Sequence, residues 1–258
     1  MHTADDLFRS ELKKRGLTFA TTAEGLYEVK VGEQTVTVSL ENVRRDYERD
    51  SDPDAIVRFV DRIDGAFYDE TPPWQDVRPY VRYSLEPADY ETGFDGVLIS
   101  TICDGLIQVF VYVSADGSRI TWINESALAG WGVTREEVIQ QAEKNMADIL
   151  TQATLEVEAV AGKRLGMLST TETPFKASLI LSPAFRDLVA PELGWPVYVV
   201  IPCRDFAYVI SSADRDLLGR LGGVVIKEYR NSGYPITKDV LEVSDDGITA
   251  IGTYPEPE

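Results

Sequence analysis

The stretch Leu106-Ile-Gln-Val-Phe-Val-Tyr-Val113, followed through Asp116-Gly117 by Arg119-Ile-Thr-Trp-Ile-Asn124 and then by Thr134-Arg-Glu-Glu137-Val138, decides how the chain is read. Its first run is rich in β-branched and aromatic residues, which suit a pleated, half-buried surface. Asp-Gly tolerates the positive φ of a tight turn, so the two runs form a β-hairpin. The period then changes. Thr134 and Glu137 have the spacing of a capping box, Val133 and Val138 that of a hydrophobic staple, and Val138, Ala142, Met146 and Ile149 recur on one helical face. A hairpin followed by a helix over 134–150 is predicted.

The same succession recurs on both sides. Thr3 and Asp6 form another capping box ahead of Leu7, Phe8 and Leu12; the helix stops at Gly16, with Lys13, Lys14 and Arg15 at the end that favours cations. Strands are predicted at 17–22, 26–31 and 35–40. A charged stretch then leads to Asp52-Pro53, an N-cap with proline at the first helical position, and to a helix with Ile56, Val60, Ile63 and Phe67 on one face. Residues 68–96 break the pattern around a strand at 77–85, and read as a linker or binding loop. Farther on, strands are predicted at 153–159 and 164–168, a short helix opening at Ser182-Pro183, and a hairpin of 197–201 with 206–211. A helix capped by Ser211 and Asp214, a closing hairpin of 239–243 with 248–252, and a disordered tail from Pro255 complete the chain. The prediction is an α+β fold of two or three modules of antiparallel hairpins, each packed by a helix. An N-terminal α-β-β-β-α module covers 1–67, and a larger α+β region covers 68–258, divisible into further modules at about 68–150 and 151–258.

The 258 residues are 44% hydrophobic, enough for a sizeable core. Their 25 Lys and Arg against 43 Asp and Glu leave a formal net charge of −18, whose field repels phosphate backbones and anionic lipid. Neither nucleic acid nor membrane is an expected partner. The single histidine, His2, leaves histidine metal sites and Ser-His or Cys-His catalysis without ligands or base. Cys103 and Cys203 are too few for a disulfide scaffold and form no C-x-x-C, which fits a reducing compartment. The start of the chain holds no apolar signal core, and the longest mainly apolar run, 195–203, is far below the ~18 residues that span a bilayer. A cytoplasmic address is expected.

Three stretches of the second half carry a likeness: Thr134-Arg-Glu-Glu-Val with Ala142-Glu-Lys-Asn145-Met146, Pro202-Cys-Arg-Asp205-Phe206 after an apolar strand, and Pro235-Ile236-Thr237 after a Gly-rich helix. In order and spacing they resemble the YtpQ-like family of uncharacterised bacterial proteins, most clearly over 119–251. The resemblance implies a soluble bacterial α+β protein and carries over no catalytic residue.

Two places are candidate sites. The turn Pro202-Cys203-Arg204-Asp205, with Asp214 and Asp216 at the following helix start, is a candidate ligand site at Cys203, Arg204, Asp205 and Asp214, because a helix N-terminus and an arginine together attract anions and lower a thiol pKa. Caps and a turn explain the same residues structurally. Trp74, Tyr80, Tyr83 and Tyr90 are candidates for a partner surface, since Trp and Tyr combine large contact area with a polar handle; junction cover is the plainer role. Gly219, Gly222 and Gly223 match no phosphate-loop spacing and read as close helix packing. The acid pairs Asp5-Asp6, Asp214/Asp216 and Asp245-Asp246 match no calcium loop, so no metal and no cofactor is assigned. The expectation is a non-catalytic protein that binds a protein or small-molecule partner through an acidic, aromatic-edged surface. The alternative is a carboxylate-based or metal-assisted hydrolase using acids such as Asp205 and Asp214.

Overall fold

Thr3 Oγ1 accepts a hydrogen bond from the Asp6 amide while the Asp6 carboxylate accepts one from the Thr3 amide, and this box opens α1 (Ala4–Lys14). The computed structural model describes residues 3–23, 26–31, 34–65, 72–90, 96–115, 117 and 119–256. The chain divides into two compact units, Met1–Pro72 with Asn231–Tyr234, and Pro73–Arg230 with Pro235–Glu258.

In the first unit β1 (Thr18–Ala23), β2 (Leu26–Val31) and β3 (Gln34–Ser39) form an antiparallel sheet in that order, followed by α2 (Glu41–Asp50) and α3 (Pro53–Gly65). Strand β2 alternates as expected of a half-covered strand. Tyr27, Val29 and Val31 are buried with Phe8 and Leu12 of α1 and Ile56, Val60 and Ile63 of α3, and Glu28 and Lys30 are exposed. The Tyr27 phenol donates to Asp5 at 2.7 Å and accepts from Arg9 at 3.0 Å. Asp52 caps α3 by accepting the Asp54 amide at 3.0 Å. Helix α2 occupies the stretch read only as charged. Only five of its ten residues, Glu41, Arg44, Arg45, Glu48 and Arg49, are good helix formers, and Val43 and Tyr47 are its only apolar residues. Phe67 lies outside the described residues.

The second unit begins with α4 (Trp74–Val77) and a 3-10 turn (Arg78–Tyr80) containing Pro79, so the strand predicted from residue 77 starts at Val81. Strands β4 (Val81–Pro87), β5 (Ile99–Cys103), β6 (Leu106–Val113) and β7 (Ile120–Trp122) form one sheet in which β6 pairs with the other three. Then come α5 (Glu125–Trp131) and α6 (Arg135–Thr151), whose Thr134–Glu137 box and buried Val138, Ala142, Met146 and Ile149 match the sequence reading. The rest comprises β8 (Thr154–Val160), β9 (Lys163–Ser169), α7 (Phe185–Leu193), β10 (Val197–Val200), β11 (Tyr208–Ser211), α8 (Leu218–Asn231), β12 (Asp239–Ser244) and β13 (Gly247–Thr253). Its sheet runs β13-β12-β10-β11-β9-β8, every neighbour antiparallel. The fold is α+β, built of antiparallel hairpins with packed helices.

These two sheets share one core. Phe110, Met146, Leu179, Val199, Val209 and Leu241 belong to a single cluster, so residues 73–256 are not two separately cored modules divided near 150. Strand β10 shows why the larger sheet holds together: Val197 and Val199 face that core, and Tyr198 and Val200 pack with Leu221 and Val225 of α8 on the other side. Among the described residues no helix is long and apolar enough to cross a membrane.

Three local expectations change. Ser211 caps a 3-10 segment, Ser212–Leu217, rather than a continuous helix, because Asp214 has non-helical backbone angles. Of the three glycines read as close helix packing only Gly222 serves it, since a Cβ there would lie 3.2 Å from the Tyr254 ring while one at Gly219 or Gly223 would meet nothing within 4 Å. The tail is held as far as Glu256, whose carboxylate pairs with Lys238 at 2.6 Å and Arg230 at 2.9 Å, and these partners lower its pKa to about 2.

Candidate functional site

Strand β4 is buried on both faces. Val81, Tyr83 and Leu85 enter the core, and the alternate residues Arg82, Ser84 and Glu86 are also covered, at 8%, 3% and 1% exposure. A polar row without water needs internal partners. Glu86 accepts from Ser84 Oγ at 2.5 Å and from Arg204 Nη2 at 2.6 Å and Nε at 3.3 Å. Arg204 Nη2 also donates to the Tyr90 phenol at 3.3 Å, and its guanidinium lies 5.6 Å from the Tyr90 ring centroid. Burial pushes the Glu86 carboxyl above its ordinary value, against the pull of Arg204 and Ser84. Burial alone would lower Arg204, but Glu86 and Tyr90 outweigh it and hold the guanidinium charged.

The turn bearing Arg204 is fixed by its backbone. The Ala177 amide donates to the Arg204 carbonyl at 2.9 Å, the Ile236 amide to that of Pro202 at 2.8 Å, and Cys203 bridges to Pro235. The separate stretches 202–206 and 235–237 therefore meet here. Cys203, 2% exposed, donates its thiol to Asp205 Oδ1 at 3.0 Å. Arg204 thus clasps Glu86 from within the fold and does not present its charge at a helix start, whereas Cys203 bonds to the exposed Asp205 across the turn. Asp214 is not part of it. The strand β11 separates Asp205 from Asp214 by on the order of 10 Å, and Asp214 pairs with Lys163 at 3.4 Å.

The aromatic candidates also separate. Tyr83 is 1% exposed and packs edge-on against Phe110, so it is a core residue and not part of a partner surface: the odd-numbered face of β4 points inward. Trp74 and Tyr80 are half-buried, Trp74 lying tilted against Trp131 at 5.4 Å and Trp131 meeting Tyr112 edge-to-face at 5.9 Å. Tyr90 is half-buried between Arg204 and Trp122, whose ring is 5.6 Å away.

A feature absent from the sequence reading is a cleft of about 400 Å³, with Ile102 of β5, Glu143 of α6, Ser182, Arg186, Trp195 and Asp245 among its lining residues. One wall is pre-assembled. Arg186 pairs with Asp245 at 2.8 Å, the Trp195 indole donates to the same Asp245 oxygen at 3.0 Å, and the guanidinium sits 5.7 Å from the Trp195 ring centroid. Ser182 was the expected helix cap. Instead α7 begins at Phe185 after Ala184, which makes no side-chain cap, and the Ser182 hydroxyl is buried with no hydrogen-bond partner. Its residue is 4% exposed. The signal in the sequence was a serine-proline pair that looked locally satisfied; Arg186, Trp195 and Asp245 converge across 59 residues and left no local pattern.

Among the described residues no three His, Cys, Asp or Glu side chains gather to hold a metal. No protein-family model, curated protein or solved structure matches the chain.

Proposed function

We propose that the protein is a non-catalytic binding protein that takes a small polar molecule in the cleft of Ser182, Trp195 and Asp245. The observation that carries this reading is the buried Ser182 hydroxyl without a partner at a cleft whose Arg186–Asp245–Trp195 wall is already ordered. An unmet buried hydroxyl costs about 1–3 kcal/mol and asks for a partner. A volume of about 400 Å³ lies within the ~300–1,000 Å³ usual for ligand pockets. Glu143 and Asp245 against Arg186 leave the lining one negative charge in excess, which favours a neutral, hydroxyl-bearing ligand over an anion. Ile102, Phe185 and Ile248 supply an apolar flank.

The test is the melting temperature of the protein against neutral polyols, sugars, nucleosides and anionic metabolites. A ligand at ~100 times its dissociation constant adds about 2.7 kcal/mol, roughly 5–10 °C for a unit of this size. The expected result is saturable stabilisation by a neutral hydroxyl-bearing compound that Ser182→Ala and Trp195→Ala weaken. Stabilisation by anions alone, or an effect insensitive to both variants, contradicts the reading.

A further inference from the structure

A separate, smaller cleft of about 180 Å³ lies at the C-terminal end of α6, with Arg82, Asn145, Asp148, Gln152, Thr171 and Glu172 among its lining residues. Arg82 is the buried member. Its Nη1 donates to the carbonyls of Pro79 at 2.9 Å and Val81 at 3.0 Å. Its Nε–H is buried with no acceptor, and its Nη2 stands 3.6 Å from Glu172 Oε1, beyond hydrogen-bond reach. On the Nε/Nη2 edge of the guanidinium, which binds carboxylates bidentately, Nη2 therefore has only the long ion pair with Glu172 and Nε has no acceptor among the described residues. Asn145 cannot supply one, because its amide donates to the Arg78 and Val81 carbonyls and its oxygen accepts from Gln141.

The rest of the cleft is negative. Asp148 is exposed, Glu172 is half-buried, and the end of α6 adds the partial negative charge of its last carbonyls. A simple anion is drawn to Arg82 and repelled by two carboxylates. A simple amine is drawn to the carboxylates and leaves the Arg82 edge unmet. A carboxylate and an ammonium on one carbon answer both. The volume, about six waters' worth, limits such a molecule to a few side-chain atoms.

We propose that this cleft binds a small free α-amino acid, its carboxylate on the Nε/Nη2 edge of Arg82 and its ammonium between Asp148 and Glu172. Gln152 and Thr171 offer neutral hydrogen bonds beside it.

Calorimetric titration of the full chain with L-alanine tests this, with acetate and methylamine as the two single-charge fragments. The expected result is saturable binding of alanine at millimolar concentration and no binding of either fragment under the same conditions. Asp148→Asn, at an exposed position, should weaken alanine at least tenfold, the worth of one charge-assisted hydrogen bond. Arg82→Lys, which keeps the charge and loses the fork, should abolish binding; if that variant does not fold, Asp148→Asn decides. Absence of alanine binding, equal binding of acetate, or unchanged affinity in Asp148→Asn overturns the proposal.

Discussion

Replacing Arg204 by methionine removes one partner of an ion pair whose carboxylate side chain is 2% exposed. Glu86 would keep the Ser84 hydroxyl and lose both guanidinium contacts, at 2.6 Å and 3.3 Å. Breaking a buried pair from one side costs about 3–5 kcal/mol, because the remaining charge is uncompensated. With a urea m-value of roughly 2–3 kcal/mol/M for a unit of this size, the midpoint should fall by roughly 1–2 M. The penalty should also depend on pH. Burial already raises the folded-state pKa of Glu86, and losing Arg204 removes the largest opposing pull. A group raised in the fold has its stability intact below the unfolded value and loses it as pH rises through the folded one, so the Arg204→Met deficit should be smaller near pH 5 than near pH 8. The double variant Glu86→Leu/Arg204→Met, with neither charge, should recover most of the loss and yield a coupling energy of about 2 kcal/mol or more. A single-variant cost below about 1 kcal/mol, or a deficit equal at both pH values, would refute this account of the clasp.

Other outcomes follow from the same geometry. Asn145→Ala removes two hydrogen bonds of 2.9 Å to the Arg78 and Val81 carbonyls, which keep the Val81 amide and Arg82 Nη1 as donors, and should cost about 1–2 kcal/mol in urea unfolding; a cost under about 0.5 kcal/mol would show the amide to be dispensable. At Gly166 a Cβ would lie 2.9 Å from methyls of both Leu155 and Leu193, so Gly166→Ala should cost about 1–3 kcal/mol by overpacking, whereas Gly223→Ala, with nothing within 4 Å on a helix, should stabilise by about 0.5–1 kcal/mol. Tyr254, whose phenol donates to the Leu218 carbonyl at 2.9 Å, has its pKa pushed by burial to about 12. Its contribution should be intact below pH 10 and lost between 10 and 12, and spectrophotometric titration of wild type against Tyr254→Phe reads that step directly.

Helices and hairpins with chemical punctuation were legible in the sequence. The Thr3 and Thr134 boxes and the Asp52 cap all appear in the fold, because each is a local hydrogen bond that does not wait for tertiary contacts. Helix α2 was not, since Val43 and Tyr47 are its only apolar residues in an otherwise polar and charged stretch. The site was harder. The segment Val81-Arg-Tyr-Ser-Leu-Glu86 alternates apolar and polar as a half-exposed strand does, yet both faces are covered, and a sequence cannot show that 118 residues later Arg204 returns to neutralise Glu86. Ser182 misled for the opposite reason: its local pattern was complete, and the fold leaves it unused. A local rule that fails without compensation marked the larger cleft better than any motif.

The most direct test of that cleft is a crystallographic screen of small neutral, hydroxyl-bearing fragments against the whole protein. The account predicts fragments seated against Trp195, with a polar atom within about 3.2 Å of Ser182 Oγ. A cleft that stays empty of every fragment while the same compounds occupy other surfaces would contradict it.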